Sequence, residues 1–294
     1  YRIVPLESAL ADLYTSGSHK MHDKDHRSQL ALTFDDGYAD NYTHAFKLAC
    51  ELHIPITIFL ISGYVGNGNS FWLADRLLLY TQKETVTFAE NTYELLQLEG
   101  RKALALALDA QASKLATDAE LETFLSSLRE PLALPLSVIL KEKPAPLLDW
   151  HQIAEMEESR WVTFGAHTVH HPILSSLNDP VDVEHETAGC RIALEQHLEL
   201  PVRTFAYPYG GVKQIGSYGA RAVQKAGYAW AVTTLSGSNT PNSNPYLLRR
   251  RSARAEQHWL IVAIKVAGVM DFCSRLLRRP LAFIRKRISF YTLE

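Results

Sequence analysis

Two segments far apart in the chain carry side chains that together could hold a metal ion. The first contains the adjacent carboxylates Asp35 and Asp36, and the second, far downstream, contains His167 and His171. One carboxylate and two imidazoles fill three positions around a divalent ion and leave the others to water, which distinguishes a catalytic site from a closed structural one. The ion lowers the pKa of a bound water, so a second carboxylate beside it can remove a proton near neutral pH. These residue types therefore predict hydrolysis at a carbonyl carbon.

His170 lies between the two histidines and, on sequence grounds, could replace one of them as a ligand. The spacing favours His167 and His171. Pro172 disfavours a helix at the residue before it, so the pair is predicted to lie at a strand end and the following turn. The segment also lacks the Glu of a HExxH zinc protease, which argues against peptide hydrolysis.

Strand-like runs precede both sets of side chains. Residues 29–34 form an apolar run that ends at the carboxylates, and residues 161–165 form another that ends near His167. Side chains at the carboxyl ends of parallel strands converge in space even when they are far apart in sequence. We therefore expect the carboxylates and imidazoles to meet at one mouth of a parallel sheet.

Three motifs of the chain resemble those of carbohydrate esterase family 4, the NodB-like polysaccharide deacetylases. They are Thr-Phe-Asp-Asp-Gly at residues 33–37, His-Thr-x-x-His at residues 167–171 and Phe-Ala-Tyr-Pro-Tyr-Gly at residues 205–210. The resemblance covers roughly residues 27–65 and 147–253. It implies a metal-dependent deacetylase with the NodB homology fold.

The resemblance also implies a role for each site residue. Asp35 is expected to be the base, and Asp36, His167 and His171 the metal ligands. Tyr209 is expected to offer its backbone N–H to the oxyanion of the tetrahedral intermediate. Zinc is the expected ion, although cobalt, nickel or manganese would accept the same ligands.

The chain departs from the family pattern at three places. Ala206 stands where the third motif commonly carries an Arg that tethers the base. Residues 231–234 contain no acid where the fourth motif is Asp-rich, and residues 247–251, Leu-Leu-Arg-Arg-Arg, replace the Leu-x-His of the fifth. The proton donor to the leaving amine is therefore unassigned, with His258 as one displaced candidate.

Arginines near the end of the barrel could replace the missing tether. A strand through residues 247–252 would alternate its side chains between two faces, so either Arg249 or Arg250 should point into the mouth. A guanidinium there could hold Asp35. We therefore include both arginines among the candidate catalytic residues.

Alternating strand-like and helix-like segments predict an α/β fold. Roughly six or seven strands indicate an incomplete or distorted (β/α)7-type barrel rather than a doubly wound sheet. We predict one catalytic domain over residues 1–253, with a helical insertion at about 66–148, and a basic amphipathic extension over residues 254–294. No GxGxxG or P-loop sequence is present, so no nucleotide cofactor is expected.

The charge is unevenly distributed along the chain. Its net value is −2, yet residues 247–294 hold eleven Lys or Arg against three Asp or Glu. This basic tail indicates either peripheral contact with an anionic membrane or a C-terminal helix packed on the barrel with a solvated basic face. No nucleic-acid partner is expected, because no recognition module is visible. No signal peptide or membrane span is visible in the sequence either. We expect a cytoplasmic protein that contacts the inner face of the membrane.

The sequence thus predicts a metal-dependent hydrolase that removes N-acetyl groups from a sugar of a polysaccharide or its precursor. The same apparatus also fits O-deacetylation, deformylation or the opening of a cyclic amide. Two alternatives lie outside hydrolysis: a carbohydrate-binding protein that has lost its proton donor, and a non-haem iron oxygenase with two His ligands and one carboxylate. The oxygenase would leave Asp35 without a role.

Overall fold

A single curled, parallel sheet forms the centre of the molecule. The computed structural model describes residues 1–15, 28–66, 78, 81–112, 118–135, 147–177, 179–253 and 257–268. The sheet has the strand order β3-β4-β7-β8-β9, which is also the order along the chain, and it curls into a half-barrel. Helices connect its successive strands on one side, as right-handed crossovers require. The predicted incomplete α/β barrel is confirmed.

The strands are β1 Arg2–Ile3, β2 Gln29–Leu30, β3 Leu32–Phe34, β4 Ile56–Leu60, β5 Thr85–Phe88, β6 Asn91–Glu94, β7 Val162–Ala166, β8 Thr204–Ala206 and β9 Trp230–Val232. The α-helices span Leu6–Thr15, Lys47–Leu52, Leu98–Ala112, Asp118–Ser127, Trp150–Glu158, Pro180–Glu184, Cys190–Leu198, Val212–Lys225 and Trp259–Val266. Two π-helical segments, Asn41–Phe46 and His185–Gly189, and a 3-10 turn, Leu174–Ser176, complete the regular structure of the described residues.

Both faces of the sheet are covered. All five residues of β4 are buried, as expected for a strand with a layer on each side and an apolar, β-branched sequence. On the inner face, Phe59 packs with Val232 and with Leu6 and Leu10 of the first helix. On the outer face, the larger core lies between the sheet and its connecting helices. The two layers fix the strand ends that carry the polar residues.

The helix before β7 begins with a side-chain cap. Asp149 accepts a hydrogen bond from the Gln152 backbone N–H, and the Gln152 side chain accepts one from the Asp149 N–H, which forms a capping box. The helix Trp150–Glu158 then delivers the chain into β7. A capped helix start therefore lies immediately before the strand that carries the histidines.

The insertion is not wholly helical. Its described part begins with an antiparallel hairpin, β5 paired with β6, and continues with the helices Leu98–Ala112 and Asp118–Ser127. The hairpin and the two helices share a separate cluster of buried apolar side chains. The prediction of helices is right for residues 98–112 and 118–127 and wrong for residues 85–94.

The last predicted strand is reduced to one bridge. Leu248 pairs with Val232 of β9 in a parallel bridge, and no further residue of 247–252 is in a strand. Of the basic extension, the structure describes residues 257–268, which include the helix Trp259–Val266, and its later arginines lie outside the described residues. Within the described part of the chain, no helix is both long and apolar enough to cross a membrane.

Candidate metal centre

Asp36, His167 and His171 meet at the carboxyl ends of the strands. Asp36 Oδ1 lies 3.2 Å from His167 Nε2 and 3.5 Å from His171 Nε2. The three candidate ligand atoms all lie within 4.8 Å of one another. Both imidazoles are almost fully buried, whereas Asp36 is partly open to solvent. This donor set, two nitrogens and one oxygen with one open side, suits a catalytic zinc-type ion.

Hydrogen bonds orient His167 for metal binding. Its Nδ1 lies 2.7 Å from the Ala206 carbonyl oxygen, and because a carbonyl can only accept, Nδ1 carries the proton. Nε2 is then directed at Asp36, as in metal-bound histidines whose other ring nitrogen bonds a carbonyl. Burial alone would lower the pKa of His167, but Asp36 and the charge of Asp35 raise it. A bound ion would take the place of this proton, because a histidine ligand must give up the proton on the nitrogen that binds the metal.

His171 is held in the neutral form that a ligand requires. The pKa of His171 lies well below the usual value, mainly because the side chain is buried and also because His167 carries a positive charge nearby. A metal ligand must be unprotonated, so this environment favours coordination. The three residues fit a divalent ion by position and by chemistry.

Arg250 holds the remaining carboxylate. Its two terminal nitrogens each lie 2.7 Å from an oxygen of Asp35, a bidentate pair. The guanidinium also donates to Thr33 Oγ1 and to the Thr233 carbonyl oxygen, and it lies 5.7 Å from the centre of the Phe59 ring. Burial would raise the pKa of Asp35, but the charge and hydrogen bonds of Arg250 lower it below its usual value. Asp35 is thus ionised and fixed in orientation.

Arg249 does not reach the site. Its Nη1 donates to the Ser236 carbonyl oxygen at 3.0 Å, and the residue is exposed. Side-chain alternation sends Arg250 inward and Arg249 outward, so the inclusion of Arg249 among the catalytic residues is corrected. His258 is also placed elsewhere, because it caps the helix Trp259–Val266 by accepting the Leu260 N–H.

Tyr209 packs beside the histidines. Its ring centre lies 5.2 Å from that of His171. Its carbonyl oxygen accepts a hydrogen bond from Thr234 Oγ1 at 2.7 Å, and a Cβ at Gly210 would meet the Thr234 nitrogen at 2.5 Å. The aromatic residue before this glycine is therefore held against the site by a close loop contact.

Left-handed backbone conformations cluster at the site. Asp36, Thr168, His171 and Tyr209 have φ angles of 73°, 67°, 59° and 59°. Such angles are uncommon for residues other than glycine, and they collect at sites where the surrounding structure enforces them. The pattern was not predictable, because none of the four is glycine.

A network of hydrogen bonds fixes the loop between the histidines, and the sequence did not reveal its main side chain. Glu186 Oε2 accepts the backbone N–H groups of Val169 and His170, both at 2.9 Å, and Oε1 lies 2.7 Å from His170 Nδ1. His170 therefore turns toward Glu186 rather than Asp36, and the two histidines beside Asp36 are His167 and His171. His170, His185 and Glu186 form a second group of potential ligands. No motif marks Glu186, and a lone acid in a helix is common.

Comparisons with known proteins agree with the geometry. The family model described as polysaccharide deacetylase matches residues 22–231. IcaB from Ammonifex degensii is 19% identical over 90% of this chain and 82% of its own, with a TM-score of 0.54. A de-N-acetylase from Aggregatibacter actinomycetemcomitans is 12% identical over 90% and 83%, with a TM-score of 0.52.

A third similar structure is the Streptococcus pyogenes deacetylase PplD in complex with acetate. It is 17% identical over 85% of this chain and 73% of its own, with a TM-score of 0.50. At such identities the structural similarities show a shared fold. No curated protein sequence matches the chain significantly.

Proposed function

This chain belongs to the polysaccharide deacetylase family, and on that premise we propose that it is a metal-dependent enzyme that removes N-acetyl groups from a sugar of a polysaccharide or its precursor. The observation that carries the proposal is one juxtaposition. Three candidate ligand atoms lie within 4.8 Å of one another, and the carboxylate next in sequence is held by two hydrogen bonds from Arg250. That arrangement supplies both an ion site and a separate base.

Asp36, His167 and His171 would hold the ion, and zinc is the first candidate. When bound, it supplies a Lewis acid and a water of lowered pKa. Cobalt, nickel and manganese suit the same ligands, so the proposal extends to a divalent ion of this group. The donor set itself, with two buried imidazoles and one half-open carboxylate, supports the assignment.

The chain's own residues would carry the proton and the developing charge. Asp35 accepts the proton of the attacking water, and Arg250 keeps that carboxylate ionised and correctly turned. The backbone N–H of Tyr209 donates to the oxyanion. The C–N bond then breaks as the amine nitrogen takes up the proton that Asp35 removed from the water, which yields a free amino sugar and acetic acid, present as acetate at neutral pH. The expected substrate is accordingly an N-acetylated glycan.

Acetate release from a panel of N-acetylated and O-acetylated glycans tests the proposal. Release should require zinc or cobalt, cease after chelation, and fall by about 10²-fold or more in Asp35→Asn, which removes the base. Asp40→Asn, an exposed Asp five residues away, is the matched control and should retain full turnover. Release that survives chelation, or Asp35→Asn with full turnover, would contradict the mechanism. Release confined to O-acetylated substrates would mean that the enzyme cleaves an ester rather than an amide.

A further inference from the structure

The loop that joins the two histidine ligands requires support from outside itself. Thr168 and His171 both adopt left-handed φ angles, which a side chain disfavours. Thr168 Oγ1 accepts the His171 N–H at 2.8 Å, so the loop has one internal bond. The backbone N–H groups of Val169 and His170 have no partner within the loop and must be satisfied by other elements.

One side of the loop is fixed by the chain after β4. The Ser62 N–H donates to the Thr168 carbonyl oxygen at 3.2 Å, and the Gly63 N–H donates to that of Val169 at 2.9 Å. The two backbone segments approach each other so closely that a Cβ at Gly63 would lie 2.6 Å from the Val169 carbonyl oxygen. The carbonyl groups of the loop are therefore held by backbone alone.

The other side is fixed by Glu186. Its side chain is 8% exposed, and it accepts both remaining N–H groups of the loop with one oxygen and faces His170 Nδ1 with the other. Glu186 lies in the π-helical segment His185–Gly189, and such segments often occur at functional sites. We propose that Glu186 is a positioning residue that holds the loop in the conformation in which His167 and His171 can bind one ion.

This inference rests on the proposed metal centre. Metal affinity commonly falls when a side chain that orients the metal ligands through hydrogen bonds is removed. The group of His170, His185 and Glu186 could also be considered as a second ion site. One oxygen of Glu186 already accepts two N–H groups of the loop, and the other lies against His170 Nδ1. These contacts favour a role in positioning the loop over a role as a ligand of a second ion.

Three variants of Glu186 distinguish the effect of its side-chain length from the effect of its charge. Glu186→Ala removes the acceptor, and Glu186→Gln keeps a carbonyl oxygen at the same distance without the charge. Glu186→Asp keeps the charge but withdraws it by one methylene. The matched control is Glu184→Ala, whose carboxylate is 59% exposed and pairs with Lys225. Zinc affinity by chelator competition, the number of ions bound and the visible spectrum of the cobalt form are measured on each folded variant.

Glu186→Ala should weaken zinc binding by roughly 10- to 100-fold and alter the cobalt spectrum. Glu186→Gln should restore both to near the wild-type values, because its amide oxygen can accept both N–H groups. The zinc affinity of Glu186→Asp should lie between those of the Ala and Gln variants. If Glu186→Ala does not fold, Glu186→Asp takes its place in the comparison with Glu186→Gln. Glu184→Ala should match the wild type.

Wild-type affinity and spectrum in both Glu186→Ala and Glu186→Asp would overturn the role of Glu186 and leave the metal centre intact. A second bound ion that is lost in His185→Ala would also overturn it, in favour of a second site. A wild-type protein that binds no ion would overturn the metal centre itself. The failures of the two proposals are therefore distinguishable.

Discussion

At the scale of single residues, the site combines a carboxylate and two imidazoles that can share one ion with a second carboxylate that Arg250 holds by two hydrogen bonds. Asp35, Asp36, His167 and His171 are identifiable because their types and spacing match a chemical requirement. The choice between Arg249 and Arg250 could not be made, because alternation fixes only that one points inward, and the register depends on a single bridge at Leu248.

Replacement of Arg250 tests its contact with Asp35, the proposed base. Arg250→Met should lower kcat/KM by about 10²-fold, because a misplaced catalytic group can cost that much. Arg250→Lys should lose less, since an ammonium restores the charge but not the bidentate contact. Without the guanidinium, burial raises the pKa of Asp35, so activity should begin to fall at a higher pH as the solution is acidified.

The pH profiles of kcat/KM for the wild type and both variants provide the measurement. Arg249→Met is the matched control, because that side chain is exposed and bonded to Ser236. An Arg250→Met profile that coincides with the wild type would show that the base does not depend on this pair.

At the scale of elements, long periodic segments were predictable and local turns were not. The hairpin β5–β6 was missed because its turn is Ala89-Glu90, with φ angles of 46° and 68°. Two-residue hairpin turns of this kind usually carry Asn-Gly, so the usual sequence signal is absent. The π-helical segment His185–Gly189 separates the helices Pro180–Glu184 and Cys190–Leu198, and no residue type in the sequence predicts this interruption. Neither feature follows from local sequence preference.

The capping box before β7 should contribute measurably to stability. Asp149→Ala removes the acceptor for the Gln152 N–H and should lower the free energy of unfolding by about 1 kcal/mol. Thermal unfolding should then show a midpoint roughly 2–4 °C lower. Asp40→Ala is the control, because Asp40 precedes a helical segment without a side-chain cap bond. Equal midpoints for Asp149→Ala and the wild type would mean that the cap adds nothing.

At the scale of the whole molecule, the charges separate into an acidic barrel and a basic C-terminal part. The helix Trp259–Val266 has no buried residue, and Trp259, Leu260 and Ile261 are 71%, 49% and 45% exposed. An apolar surface next to a basic sequence suits an anionic lipid surface, which attracts the cations and accepts the apolar side chains. We propose peripheral membrane contact through this part of the chain.

Co-sedimentation with vesicles tests the contact. The protein should bind vesicles that contain phosphatidylglycerol more strongly than neutral ones, and less as salt is added, because ions screen the attraction. The double variant Trp259→Ser, Ile261→Ser should bind more weakly. Leu52→Ser, which removes an exposed apolar side chain from another helix, should not. Binding that ignores lipid charge, or no binding at all, would rule out the proposed surface.

The pair of Asp35 and Arg250 also sets the earliest time at which Asp35 can be fixed during synthesis of the chain. The two residues are 215 positions apart. Asp35 directly follows the first strand of the central sheet, and Arg250 lies two residues after Leu248, which bridges the last strand. A contact of such long range forms only after the intervening chain has been made and folded. While the ribosome still holds Arg250, the Asp35 carboxylate lacks its guanidinium partner. The Asp35 carboxylate is therefore fixed only after Arg250 has left the ribosome.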